Sequence, residues 1–203
     1  RAGTNEETGC KQRNQVVAAD EFRHNAKEKL LSGRYDKLLL EFCCEENSEL
    51  SKSVHHRTLA IRVTKEIDCT KREVVKAIHS IIRIAAHMRI AVHLWVAIPC
   101  TAGCRWKFVN DTIGVHTGDE AATNRLVEVG IGLGKHVNSH GGYVHWEWPE
   151  GNLLWNREDV NNFLLRIGAE SVDVSTAAAG MSFEEQGKTC LLYTSDAADD
   201  ALS

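Results

Sequence analysis

The chain has 203 residues, 43% of them apolar and 26% charged, with a net charge of −4. The first figures are ordinary for a globular domain with room for a core, and the charge excludes a global attraction to nucleic acid or an anionic membrane. No apolar run approaches the roughly 20 residues of a membrane helix, so no membrane partner is expected.

Residues 1–36 read as a polar N-terminal extension, partly helical. A weak helical pattern runs from Val16 to Leu31 through Val17, Phe22 and Leu30, and Gly33 is placed to close it. The segment KLLLEF, Lys37–Phe42, predicts a buried strand interrupted only by Glu41. A small, polar turn follows, where Ser48 is placed to cap a short helix over Leu50. Leu59–Val63 predicts a second strand. Lys71–Met88 keeps helical spacing at Val74, Val75, Ile78, Ile81, Ile82 and Ala85. Thr70 with Glu73 resembles a capping box ahead of that helix.

Leu94–Pro99 predicts a third strand, which Pro99 stops because it has no backbone donor. Cys100 and Thr101 follow on a turn loosened by Gly103. Asn110–Gly118 is a polar, glycine-containing loop, and Asp119–His140 reads as a helix ended by Gly141 and Gly142. Gly130, Gly132 and Gly134 each cost that helix about 1 kcal/mol relative to Ala. The row GIGLG does not follow a strand, as a dinucleotide loop should. Tyr143–Trp148 predicts a further strand stopped by Pro149. A helix over Asn156–Ile167 and a last strand over Glu170–Val174 precede the turn Ala177–Gly180.

Strands alternating with helices, most strands apolar throughout, predict a three-layer, Rossmann-like α/β fold with a mainly parallel sheet over residues 37–183. Right-handed crossovers then bring four loops to one edge, Cys43–Ser48, Thr64–Asp68, Cys100–Cys104 and Glu147–Asn152. Ligands bind at such an edge. Glu66, at the end of the second strand, is placed to accept hydrogen bonds from ribose hydroxyls, and Asp68 to meet an adenine amino group; both also read as solvated loop acids. Cys100 is placed as a nucleophile if its pKa is lowered or a base assists it, and it equally reads as an ordinary strand end. Glu147 is placed to grip a heterocycle. It sits between Trp146 and Trp148, where an unpaired charge is expensive. Trp148 and Trp155 read either as a stacking platform for a base or as core.

The seven cysteines are odd in number. They lack the paired spacing of a zinc ribbon or finger, and an intracellular setting, nucleus or cytoplasm, is expected. A metal module built from Cys43, Cys44, Cys100, Cys104 and His145 is a weaker alternative.

The succession LLLEFCCEENSEL, LAIRVTKEIDCT, LWVAIPCTAGCRW and VHWEWPEGNLLW resembles a group of uncharacterised proteins of dinoflagellates and related marine protists. Their motif order is similar to that of S-adenosylmethionine-dependent DNA cytosine methyltransferases. The resemblance covers about residues 37–181. It implies S-adenosylmethionine over Phe42, Cys43, Cys44, Asn47, Ser48, Glu66, Asp68 and Pro99. It further implies Cys100 as nucleophile, Glu147 as the base-gripping acid, and Thr101, Trp148 and Pro149 beside a cytosine of DNA or RNA. The sequence departs from the pattern at Glu45, where the group has glycine, at Trp148, where the methyltransferases have asparagine, and at Cys104, where serine or glycine is usual. The resemblance leaves a second expectation open, a catalytically inactive element-encoded domain that binds nucleic acid or protein. The end from Cys190, CLLYTSDAADD, resembles a translated sequencing adapter, so residues 184–203 are expected to be a disordered tail and the chain a fragment.

Overall fold

The computed structural model describes residues 4–64, 66–104, 119–173, 182–185 and 188–191, with side chains described from 18 to 173 within those ranges. The chain divides into two units, residues 1–99 with 119–147 and residues 100–118 with 148–203.

The first unit is built on a four-stranded sheet in the order β2-β1-β3-β4. The strands are β1 Lys37–Phe42, β2 Thr58–Val63, β3 Ala91–Val96 and β4 Tyr143–Trp146. Every pairing is parallel. This is a doubly wound order whose direction reverses between β1 and β3. The helices are α1 Thr4–Ser32, α2 Glu49–Lys52, α3 Arg72–His87 and α4 Glu120–Ser139. The Rossmann-like α/β class expected from the sequence is the class observed.

Pairing in register puts Leu38, Leu40 and Phe42 on one face with Leu59, Ile61, Val63, Val92, Leu94 and Val96. All nine are buried. α3 covers them with Val74, Ala77, Ile78, Ile81, Ile82 and Ala85. α4 comes close enough that a Cβ on Gly130 would stand 3.2 Å from Trp146 and 3.4 Å from Val96 and Ile98. Gly130 is therefore a packing residue, which explains a glycine inside a helix. α1 runs along α3 and buries Ala19, Ala26 and Leu30. Leu31, expected on that stripe, is 58% exposed. The crossover from β1 to β2 runs opposite to the next one, so right-handedness sends α2 to the other face.

That other face is less apolar than the sequence suggested. Its middle holds Leu39 and Glu41, both buried. Its β3–β4 half carries a ladder of rings. His93 stacks on Tyr143 with centroids 4.8 Å apart and on His145 at 5.5 Å, and Trp95 stacks on His145 at 5.5 Å. His93 Nδ1 and His145 Nε2 share a hydrogen bond of 3.2 Å.

Several boundaries differ from expectation. β3 ends at Val96 and β4 at Trp146, so Pro99 and Pro149 do not stop the strands. The residue before the α3 helix is Lys71. Thr70 forms no capping box with Glu73; its N–H and hydroxyl both turn to Asp68 Oδ1, at 3.1 and 2.5 Å. α4 begins as expected, with the Asp119 carboxylate accepting from Ala122 N at 3.0 Å. It ends on Gly141 at φ +73° with Gly142 N donating to Val137 O, a helix stop that favours glycine. The row GIGLG lies inside α4.

The second unit contains a 3₁₀ turn Cys100–Gly103, a 3₁₀ turn Leu153–Asn156 and helix α5 Glu158–Arg166. Asn152 organises it. Its Nδ2 donates to Cys100 O and its Oδ1 accepts from Leu154 N, both at 2.9 Å. A Cβ on Gly103 would stand 2.2 Å from that Oδ1, so the turn needs glycine for closeness rather than looseness. Residues 170–173 are exposed and form no strand, contrary to expectation. β5 Ser182–Glu185 pairs antiparallel with β6 Lys188–Leu191, so part of the segment expected to be a disordered tail is paired. The loops expected at 110–118 and 177–180, with Lys65 and Val174, lie outside the described residues.

Candidate functional site at the carboxyl edge of the sheet

Because the four strands are parallel, the segments leaving β1, β2, β3 and β4 emerge at one edge. In the first unit these carry Phe42–Ser48, Glu66 and Asp68, Pro99, and Glu147.

The segment after β1 is held from below. Phe42 is fully buried, and Glu41 just before it is 2% exposed. The Ser48 hydroxyl donates to Glu41 Oε2, while Oε1 has no partner among the described residues. Ser48 stands at the start of α2 but makes no side-chain cap there. Its hydroxyl serves the buried acid instead, because an unsatisfied carboxyl in the interior costs more than an uncapped helix of four residues. Cys43 follows in the left-handed region at φ 66°, with its sulfur 3.9 Å from that of Cys69. The Cys44 sulfur lies 3.7 Å from Glu41 O. Burial, then the nearby Glu41, pushes the Cys44 thiol up to about 11. Glu45, Glu46 and Asn47 are exposed, and the Arg62 guanidinium ties the loop to β2 by donating to Glu46 O.

The segment after β2 carries Glu66, exposed three residues beyond the strand. Asp68, also exposed, shapes the turn that follows. Its Oδ1 takes both bonds from Thr70, and its Oδ2 pairs with Lys71 Nζ at 3.5 Å. Burial alone would raise this carboxyl, but the Thr70 bonds and the Lys71 charge outweigh it and hold it low. Asp68 is thus occupied in shaping the turn that leads into α3.

Glu147 is exposed, not enclosed among apolar neighbours as its place between two tryptophans suggested. Its Oε2 accepts from Trp95 Nε1 at 2.8 Å. The partner expected for this charge is therefore the indole of the neighbouring strand.

Cys100, Thr101, Trp148 and Pro149 belong to the second unit. Cys100 opens its 3₁₀ turn with the thiol half-buried and outside any disulfide, and Thr101 is exposed. Trp148 is 7% exposed and meets Trp155 edge to face at 5.0 Å. Trp155 Nε1 donates to Pro149 O at 3.0 Å. Trp148 is thus buried in its unit, and Trp155 is half-buried against it.

Among the described residues, no group of three or more His, Cys, Asp or Glu is placed to hold a metal ion. No described helix is long and apolar enough to cross a membrane.

No family model, curated protein or solved structure matches this chain.

The sequence reading named loops at the strands' carboxyl ends and did not single out Glu41, Cys69, Trp95 or the His93–His145 pair, which the structure joins to them. An acid inside an otherwise apolar strand is the signal that marks Glu41. The other three appear only once register is known.

Proposed function

We propose that the first unit binds S-adenosylmethionine as a methyltransferase-type domain. The observation that carries this reading is the all-parallel order β2-β1-β3-β4, which sets the segment Phe42–Ser48 beside the exposed Glu66 at the strands' carboxyl ends. Ligands of doubly wound sheets bind at that edge, near the reversal of strand order. The residues fit the group in part. Glu66 is exposed in the segment that follows β2, where a carboxylate accepts from ribose hydroxyls, and the left-handed Cys43 turns the backbone sharply at the end of β1. Asp68, engaged by Thr70 and Lys71, acts as a positioning residue for the Glu66 turn rather than as a direct contact. When bound, the cofactor supplies a methyl group.

Action on cytosine in DNA or RNA is the finer part of the proposal and is separable from cofactor binding. It rests on the dipeptide Pro99-Cys100. The Cys100 thiolate would add to the ring and make carbon 5 nucleophilic, then leave when a base removes the proton there. A duplex substrate would require the base to be flipped out.

A second reading is an inactive domain that binds nucleic acid or protein. It is favoured by the Trp95 bond to Glu147 and by the exposed Glu45 in the cofactor segment. Calorimetry with S-adenosylmethionine tests the first reading; no heat at millimolar cofactor removes it. Covalent trapping on an oligonucleotide containing a fluorinated cytosine, abolished by Cys100→Ser, tests the chemistry. Binding without trapping leaves the inactive reading in place.

A further inference from the structure

The segments that follow β1 and β2 meet through sulfur. Cys43 Sγ lies 3.9 Å from Cys69 Sγ, across a separation of 26 residues. Cys69 is buried, Cys43 half-buried, and neither is in a disulfide. The Cys43 N–H first donates to Val63 O at 3.0 Å. The backbone then turns through the left-handed region at φ 66°. A residue with a side chain enters that region only where its surroundings hold it there, and here the turn accompanies contact between the two thiols.

We propose that Cys43 and Cys69 form a reversible dithiol–disulfide couple, closed by hydrogen peroxide and reopened by two equivalents of a small-molecule thiol, which leave as their own disulfide. The thiolate of one of the pair attacks the peroxide. The O–O bond breaks, one oxygen stays on sulfur as sulfenic acid, and the other leaves as hydroxide. The partner sulfur then displaces the sulfenic oxygen as water, forming the S–S bond. Two thiols are oxidised, and one peroxide is reduced to two waters.

The shared hydrogen bond between the two sulfurs separates their titrations, so one proton leaves before the other and a thiolate stands beside a thiol that can resolve it. Cys44, next in sequence, has its sulfur against Glu41 O and its pKa raised to about 11, so it is a poor competitor. The closed form would tie the segment after β1 to the one that carries Glu66. The couple itself requires no ligand at that edge and stands apart from the cofactor proposal.

The test uses the full chain carrying Cys44→Ser, so that Cys43 is the one cysteine in its tryptic peptide, residues 38–52. The protein is treated with equimolar hydrogen peroxide, blocked with iodoacetamide and digested. The expected product joins peptide 38–52 to peptide 66–71, is lighter by two hydrogens than the separate peptides, and disappears with dithiothreitol. Thiols reactive in urea fall by two per molecule. Cys69 recovered alkylated, or carried to sulfinic acid with no cross-link, overturns the proposal. In Cys43→Ser the cross-link should vanish. A Cys69 disulfide to any other cysteine in that variant also overturns it.

Discussion

Ser48→Ala isolates the bond that holds the candidate cofactor segment. Glu41 is 2% exposed, and Ser48 supplies the hydrogen bond to its Oε2, while Oε1 has none among the described residues. Removing the hydroxyl leaves a buried acceptor unpaired, which costs about 1–3 kcal/mol. For a chain of this length each kcal/mol moves Tm by roughly 2–4 °C, so a loss of about 2 kcal/mol lowers Tm by about 4–8 °C. The assay is chemical and thermal unfolding, repeated in a Glu41→Met background. There the acceptor is gone, so Ser48→Ala should cost less than about 0.5 kcal/mol, and the difference is the coupling energy of the pair. An equal cost in both backgrounds, or no cost in the native one, would refute the assignment and leave Ser48 as a surface residue.

The glycines in and after α4 and the histidines give two further tests. Gly132 in α4 has nothing within 4 Å of its would-be Cβ, whereas at Gly142 that atom would meet Val137 Cγ1 at 2.6 Å and Val92 O at 2.7 Å. Urea titrations should show Gly132→Ala stabilising by about 0.5–1 kcal/mol and Gly142→Ala destabilising; the reverse order would mean α4 is wrongly placed. His93 and His145 are both held below their ordinary range, chiefly by burial, with the neighbouring imidazole and Lys37 adding to the effect at His93. His79 and His136, stacked 4.3 Å apart, are lowered by burial and by the Arg83 charge, and at His136 also by His79 and His140. Histidines with lowered folded pKa bind protons more readily when unfolded. Their stabilisation is present above the ordinary histidine pKa near 6.5 and is lost as pH falls below it. The urea midpoint should therefore drop between pH 7 and pH 5, and His93→Gln should flatten the slope. A midpoint constant over that range would contradict the burial of these rings.

Most of the sheet was legible because its strands are continuous apolar runs and α3 keeps a clean 3.6-residue stripe. Of the stripe expected in the core, Val74, Ile78, Ile81, Ile82 and Ala85 are buried and Val75 is half-buried. α4 was legible despite its glycines, since Asp119 caps it and Gly141 and Gly142 close it. The site was harder for a physical reason. A motif names which residues leave a strand, but not which of their polar atoms are already engaged. Asp68 looked like a ligand acid, and local hydrogen bonding from Thr70 claims it. Ser48 looked like a helix cap, and a buried acid seven residues earlier claims it. Glu147 looked like a buried charge, and strand register delivers the Trp95 indole to it. Each is a case of a partner distant in sequence or a competing local turn, which periodicity does not encode. Cys43 and Cys69 belong with them, since their sulfurs meet at 3.9 Å across 26 residues of sequence.

The central claim is that the carboxyl edge of β1 and β2 accepts S-adenosylmethionine. Titration of the isotope-labelled chain with S-adenosylhomocysteine, followed by amide shifts, reads this residue by residue. Saturable shifts confined to residues 42–48 and 66–70, weakened at least tenfold in apparent affinity by Glu66→Ala, are the expected result. Shifts elsewhere on the chain, or none at millimolar ligand, would contradict it.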